Sequence, residues 1–139
     1  MIAATVSVPC RTLLAISFGL CVLAVSAADN SGPAPIKHVD AKNAQKLVSR
    51  TNLVILDVRT PEEFKSFHIA GATNIDFHGA NFEQRINSLD KSKTYLVHCA
   101  SGGRSTQSLK IFQKHDFQSI CHLDGGINAW KNAGLPVEK

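Results

Sequence analysis

From Ile36 onward, short apolar runs alternate with polar stretches of helical character. "IKHV" predicts a short first strand, and "DAKNAQKLVSR" predicts an Asp-capped helix. "NLVILDV" (52–58) and "TYLVHC" (94–99) are nearly continuous apolar runs, as strands covered on both faces require. "TPEEFKSFH" opens with Thr60 as N-cap, Pro61 at the first helical position and two acids in the first turn, which together start a helix. "GATNIDF" predicts a short strand after a glycine turn, and "NFEQRINSL" puts Phe82, Ile86 and Leu89 on one helical face. "GRSTQSLKIFQKHD" reads as a helix whose Leu109, Ile111 and Phe112 can pack on a sheet. "SICHL" (119–123) is a fifth strand, and "GGINAWKNAG" is a last short helix closed by Gly134 ahead of Pro136. There is no internal repeat and no low-complexity tract. The alternation of strand and helix predicts an α/β fold with a mainly parallel sheet.

The first 35 residues break this pattern. "MIAATVSVPCR" carries one positive charge and no acid, "TLLAISFGLCVLAVSA" (12–27) is uncharged and apolar, and "AVSAAD" supplies small residues. This predicts an export signal over residues 1–27, with cleavage after Ala27 or Ala28 and a periplasmic or secreted product. The alternative is an uncleaved membrane anchor, but a span needs about 20 apolar residues. A lipoprotein signal fits less well, because Leu20 rather than a small residue precedes Cys21. The polar "DNSGPAP" reads as a linker that ends at residue 35, so the fold is expected over 36–139. Cleavage also removes Cys10 and Cys21, leaving Cys99 and Cys121 of the four cysteines.

Charge narrows the function little. At 139 residues and a net charge of +4, the chain is a single-domain length and mildly basic, with no run of five like charges. That excludes a nucleic-acid surface as the expected partner. It fits a modest attraction for small anions.

The chemistry concentrates in "HCASGGRS" (98–105). Cys99 ends a predicted strand, and binding crevices of parallel sheets lie beyond the carboxyl ends of the strands. Asp57 and Arg59 end the second strand on the same rim. A helix N-terminus and a nearby Arg104 both favour the thiolate, the reactive form of cysteine. Gly102 and Gly103 let the backbone curl so that successive N–H groups form an anion nest, and Ser101 and Ser105 add hydroxyl donors.

At these residues the chain resembles the rhodanese-like sulfurtransferase domains. "DVRTPEEF" (57–64), "HIAGATNI" (68–75), "CASGGRS" (99–105) and "LDGGINAW" (123–130) follow the family's order and spacing, and the resemblance runs from about Ile36 to Pro136. It implies a five-stranded parallel sheet with helices on both faces. It also implies sulfane-sulfur transfer. Cys99 would take the outer sulfur of a small anionic donor such as thiosulfate and pass it, as a persulfide, to a thiol or cyanide acceptor. Amides from Ala100 to Ser105 would cradle the persulfide, and Arg104 would hold the donor. No metal or organic cofactor is implied.

Two other readings are open. A cysteine phosphatase or arsenate reductase also uses a strand-end cysteine loop. Protein phosphatases of that kind place five residues between Cys and Arg, whereas Ala, Ser, Gly and Gly are the four here. A persulfide carrier that hands sulfur to a partner protein would use the same residues. A Cys99–Cys121 disulfide is the structural alternative for the cysteine, set against the mid-strand place of Cys121. Asp57, Arg59 and Asp124 are expected to support the site. Asp57 would accept loop amides, Arg59 would pair with Glu62 or Glu63, and Asp124 with Gly125 and Gly126 would shape the rim. His98 and His68 are expected to order their turns, and Trp130 to anchor the core. No zinc site is expected, because His68, His78, His98, His115 and His122 lack metal-ligand spacing and there is no C-x-x-C.

Overall fold

Five parallel strands form one sheet in the order β1-β5-β4-β2-β3. The structure, a computed structural model, describes residues 35–139. The export signal expected over 1–27 and all but the last residue of the linker lie outside the described residues. The elements are β1 (Ile36–Val39), α1 (Ala41–Val48), β2 (Leu53–Asp57), α2 (Pro61–Ser66), β3 (Thr73–Asn74), α3 (Phe82–Asn87), β4 (Thr94–His98), α4 (Gly103–Lys114), β5 (Ser119–Leu123) and α5 (Gly126–Asn132).

The apolar runs form central strands because both of their faces are covered. Along β4, Tyr95 and Val97 enter one core while Leu96 enters the other. Ile120 and Cys121 divide in the same way on β5. Phe82 and Ile86 of α3 and Leu109 and Phe112 of α4 fill the first core. Ala41 and Ala44 of α1 and Ile127 and Trp130 of α5 fill the second. Burying each large apolar side chain contributes about 1.5–3 kcal/mol. Helices therefore lie on both faces, as expected. Ile111 differs slightly, being only partly buried against the first core. The indole of Trp130 is buried, and its Nε1–H donates to the Pro136 carbonyl at 2.9 Å.

Local caps set the element ends. Asp40 accepts the Asn43 N–H at 2.8 Å and starts α1. Thr60 and Glu63 form a reciprocal capping box on α2, with Pro61 in its first turn. β3 is shorter than expected, at two residues. Its chain turns at Asp76, whose side chain accepts the His78 N–H at 3.0 Å and whose carbonyl accepts the Gly79 N–H at 3.0 Å.

The topology fixes the site. β4 lies between β5 and β2, so the residue after it emerges in mid-sheet at the carboxyl edge. That residue is Cys99.

Candidate active site

Cys99 follows β4 directly, and Gly102 caps α4 three residues later in the left-handed conformation (φ 106°). A side chain is strained at that φ, so glycine suits the turn. The turn points loop amides at the sulfur. The Gly102 N–H donates to Cys99 Sγ at 3.1 Å, and the Ser105 hydroxyl lies 3.5 Å from it. Burial pushes the Cys99 thiol up, since the residue is 1% exposed. The Ser105 hydroxyl and the amides of Ser105, Gly102 and Ser101 outweigh burial and bring the thiol below its ordinary value. The arrangement therefore favours a thiolate and can stabilise an anionic sulfur attached to it.

The loop is gripped from its other side by α5. The amides of Ile127 and Asn128 donate to the carbonyls of Cys99 and Ala100 at 2.9 and 3.0 Å. Gly126 makes this approach possible. A Cβ there would collide with the Cys99 carbonyl and come within 2.6 Å of the Ala100 carbonyl oxygen, at a φ of 58°.

Arg104, in the first turn of α4, forks onto Glu63. Nη1 donates to Oε2 at 2.7 Å and Nη2 to Oε1 at 2.8 Å. The Arg104 hydrogen bond is the main reason that the Glu63 carboxyl falls to about 2. Glu63 thus serves two elements, because the same Oε2 also accepts the Thr60 N–H at 3.0 Å. The sequence offers Glu63 as a helix-start acid and a candidate partner of Arg59, not as the partner of Arg104. Arg104 also lies close enough to Cys99 to feel its charge.

This ion pair predicts an acid-dependent stability. A carboxylate lowered from 4.5 to about 2 stabilises the fold above pH 4.5, and the contribution is lost as pH falls toward 2. Glu63 is about a third exposed at 36%, so solvent screening limits the effect to about 0.5–1 kcal/mol. Glu63→Gln keeps a capping acceptor and removes the charge. In thermal melts the variant should be less stable near neutral pH, and the two melting curves should converge near pH 2. Equal Tm values at neutral pH would show that the pair contributes nothing.

Asp57 and Arg59 take a different arrangement from the one expected. Arg59 pairs with Asp57, not with Glu62 or Glu63. Its Nε donates to both carboxylate oxygens at 3.0 and 2.9 Å, and Nη2 donates to Oδ2 at 2.6 Å. Nη2 also donates to the Phe67 carbonyl at 2.7 Å. Glu63 is taken by Arg104, which leaves the adjacent Asp57 as the partner. Asp57 also accepts the Arg59 N–H at 2.9 Å. The pair is buried at the carboxyl end of β2, where the Val58 N–H donates to the His98 carbonyl at 2.9 Å. Burial pushes the His98 imidazole below its ordinary value. Its Nδ1 faces the Cys99 carbonyl at 3.3 Å, while Nε2 is unpartnered 3.8 Å from Asp57 Oδ2.

The hydrogen bonds of the Asp124 side chain go to two histidines. Its Oδ1 accepts from His38 Nδ1 at 2.8 Å and His122 Nδ1 at 3.0 Å. His38 lies 86 residues from Asp124, and only the β1–β5 register, in which His38 pairs with His122, brings the three together. Among the described residues these three are a cluster with ligand-type atoms within 4.8 Å of one another. Both rings donate to the same carboxylate oxygen, so the cluster is a hydrogen-bonded group and no metal is assigned to it.

The Cys99–Cys121 disulfide does not form; both thiols are free. They belong to opposite cores, and Cys121 pairs with Leu96 well back along β4. Burial raises the Cys121 thiol, which keeps it unreactive.

Comparison with known proteins agrees with this geometry. Residues 40–133 match the Rhodanese-like domain family. A protein named sulfurtransferase from Allochromatium vinosum is 27% identical over 103 residues, covering 73% of this chain and 94% of its own. An uncharacterized protein of Synechocystis sp. is 35% identical over 98 residues, 70% of this chain but only 54% of its own. The chain thus spans about half the length of that relative. A crystal structure of a rhodanese-related protein from Thermoplasma volcanium superposes with a TM-score of 0.66 at 27% identity, covering 73% of this chain and 97% of that one.

Proposed function

The chain belongs to the rhodanese-like domain family, and from that premise we propose that it transfers sulfane sulfur through a persulfide on Cys99. The observation that carries the reading is the Cys99 sulfur held by the Gly102 amide and the Ser105 hydroxyl at the start of α4. The kinship with a protein named sulfurtransferase supports it.

The steps follow two-stage covalent catalysis. The Cys99 thiolate attacks the outer sulfur of the donor. The donor's S–S bond breaks, and with thiosulfate the electron pair leaves on sulfite. The outer sulfur remains on Cys99 as a persulfide, whose negative charge the loop amides stabilise. An acceptor thiolate or cyanide then attacks that sulfur, and Cys99 leaves as thiolate. Arg104 helps to hold the anionic donor. Because Glu63 already takes both arms of its guanidinium, the loop amides carry much of the donor's charge. The phosphatase alternative is disfavoured by the four-residue span from Cys99 to Arg104, which suits one sulfur atom better than a tetrahedral oxyanion.

The apolar stretch at 12–27 supports an exported setting as part of the same proposal. Such a setting is oxidising, so unloading Cys99 would need a reductant or partner thiol. Intact-mass measurement tests the function: the protein should gain one sulfur from a donor and lose it to an acceptor.

A further inference from the structure

A hydrogen-bonded chain runs from the Cys99 sulfur to the protein surface. Ser105 Oγ is 3.5 Å from Cys99 Sγ and 2.9 Å from His122 Nε2. His122 Nδ1 is 3.0 Å from Asp124 Oδ1. Ser105 is fully buried and His122 nearly so, whereas the side chains of Asp124 and His38 are 52% and 56% exposed. The cysteine loop supplies Cys99, α4 supplies Ser105, β5 supplies His122, the turn after β5 supplies Asp124, and β1 supplies His38.

We propose that His122 is the base that receives the Cys99 thiol proton, with Ser105 as the relay and Asp124 holding the ring in the productive tautomer. The inference rests on the reading of Cys99 as a thiolate nucleophile. The carboxylate of Asp124 fixes one ring proton on Nδ1, which leaves Nε2 as an acceptor. The Ser105 O–H proton passes to Nε2, and the Cys99 S–H proton passes to Ser105 Oγ. The products are a thiolate, an intact serine and an imidazolium beside a carboxylate. One proton has moved from sulfur to ring, and no other reactant is needed.

The serine geometry explains why the ring's state matters. The single hydroxyl proton of Ser105 has three acceptors: His122 Nε2 at 2.9 Å, the Gly102 carbonyl at 3.0 Å and Cys99 Sγ at 3.5 Å. A neutral ring, the nearest, takes it. A protonated ring donates to Oγ instead and frees the hydroxyl to donate to the sulfur. Thiolate and imidazolium therefore stabilise each other through one serine.

Other bases are placed less well. His98 is closer in sequence, but its two nitrogens face the Cys99 carbonyl and Asp57, not the sulfur. Arg104 cannot accept a proton. The titratable groups facing His122 are Asp124 on the rim, His38 on β1 with ring centroids 5.0 Å apart, and His98 and Cys99 at the end of β4. From α4, Ser105 and Thr106 present hydroxyls, Thr106 at 3.4 Å. Asp124 stays ionised, chiefly through its hydrogen bond from His38 and next through that from His122. His122 acts through Ser105 and does not meet substrate, so it is a positioning residue.

The test is the pH profile of Cys99 alkylation by iodoacetamide, read on the Cys99 peptide by mass spectrometry in the full-length chain. At about pH 7, His122→Gln should alkylate about tenfold more slowly than wild type, and at about pH 10 the rates should meet. Ser105→Ala should show the same loss, and the double substitution no more than either alone. Wild-type alkylation at pH 7 in His122→Gln would overturn the relay, as would a deficit that persists at pH 10. If His122→Gln does not fold, Asp124→Asn decides by the same two criteria: several-fold slower at pH 7 and equal at pH 10. The assay uses no sulfur donor. A protein that alkylates as predicted but forms no persulfide would refute the sulfur-transfer reading while leaving the relay standing.

Discussion

Cys99→Ser should lower donor-to-acceptor sulfur turnover by at least about a thousandfold, as loss of a covalent nucleophile does. The expectation follows from the chemistry of the site. The amides of Ser101, Gly102 and Ser105 and the Ser105 hydroxyl are arranged to hold an anionic sulfur. A serine oxygen in the same place stays protonated and forms no persulfide. The fold should survive, because the two side chains are nearly the same size and a buried hydroxyl can use the amides already present, at about 1 kcal/mol or less. A melting temperature close to wild type, with turnover gone, is the expected pair of results. Turnover within tenfold of wild type would mean that another group carries the sulfur. Cys121 is a poor replacement, being buried in the opposite core with a raised thiol. Wild-type protein that loads sulfur yet fails to turn over would instead be a carrier.

Arg59→Met should destabilise the fold by about 3–5 kcal/mol, the cost of stranding one partner of a buried ion pair. Asp57 is 0% and Arg59 2% exposed, and the guanidinium supplies three of the four hydrogen bonds to the carboxylate. The Phe67 carbonyl loses its donor as well. The aliphatic part of the side chain is retained in Met, so the loss is electrostatic more than steric. Asp57→Asn on top of Arg59→Met should recover part of the stability, since the stranded charge is then gone. Urea midpoints for the three variants would measure this. A single variant within 1 kcal/mol of wild type would show that the pair is dispensable. Because Asp57 lies 3.8 Å from His98, the residue before Cys99, loss of stability and loss of turnover should appear together as temperature rises.

These two sites differ in how far the sequence discloses them. Cys99, Gly102 and Ser105 lie within one short stretch, and a strand end, a glycine turn and a helix start dictate their geometry locally. The capping box of Thr60 and Glu63 is local in the same way. Pairings across the fold are not. Glu63 and Arg104 are 41 residues apart, and nothing in "TPEEF" says that the capping carboxylate has a second partner. By position Arg59 can pair forward with the helix acids, but the buried Asp57 two residues behind it takes the guanidinium instead. His38 and His122 become neighbours only through the parallel pairing of β1 with β5. The alternating pattern implies a parallel sheet without specifying its order, and only that order brings together the chain of groups from Cys99 to Asp124.

The most direct test of sulfur transfer is the intact mass of the protein after incubation with thiosulfate or a low-molecular-weight persulfide. The reading predicts a gain of one sulfur atom, mapped by peptide mass to Cys99, absent in Cys99→Ser and removed by cyanide or a thiol. A protein that stays unmodified with every donor, or that carries the added sulfur on Cys121, would contradict it.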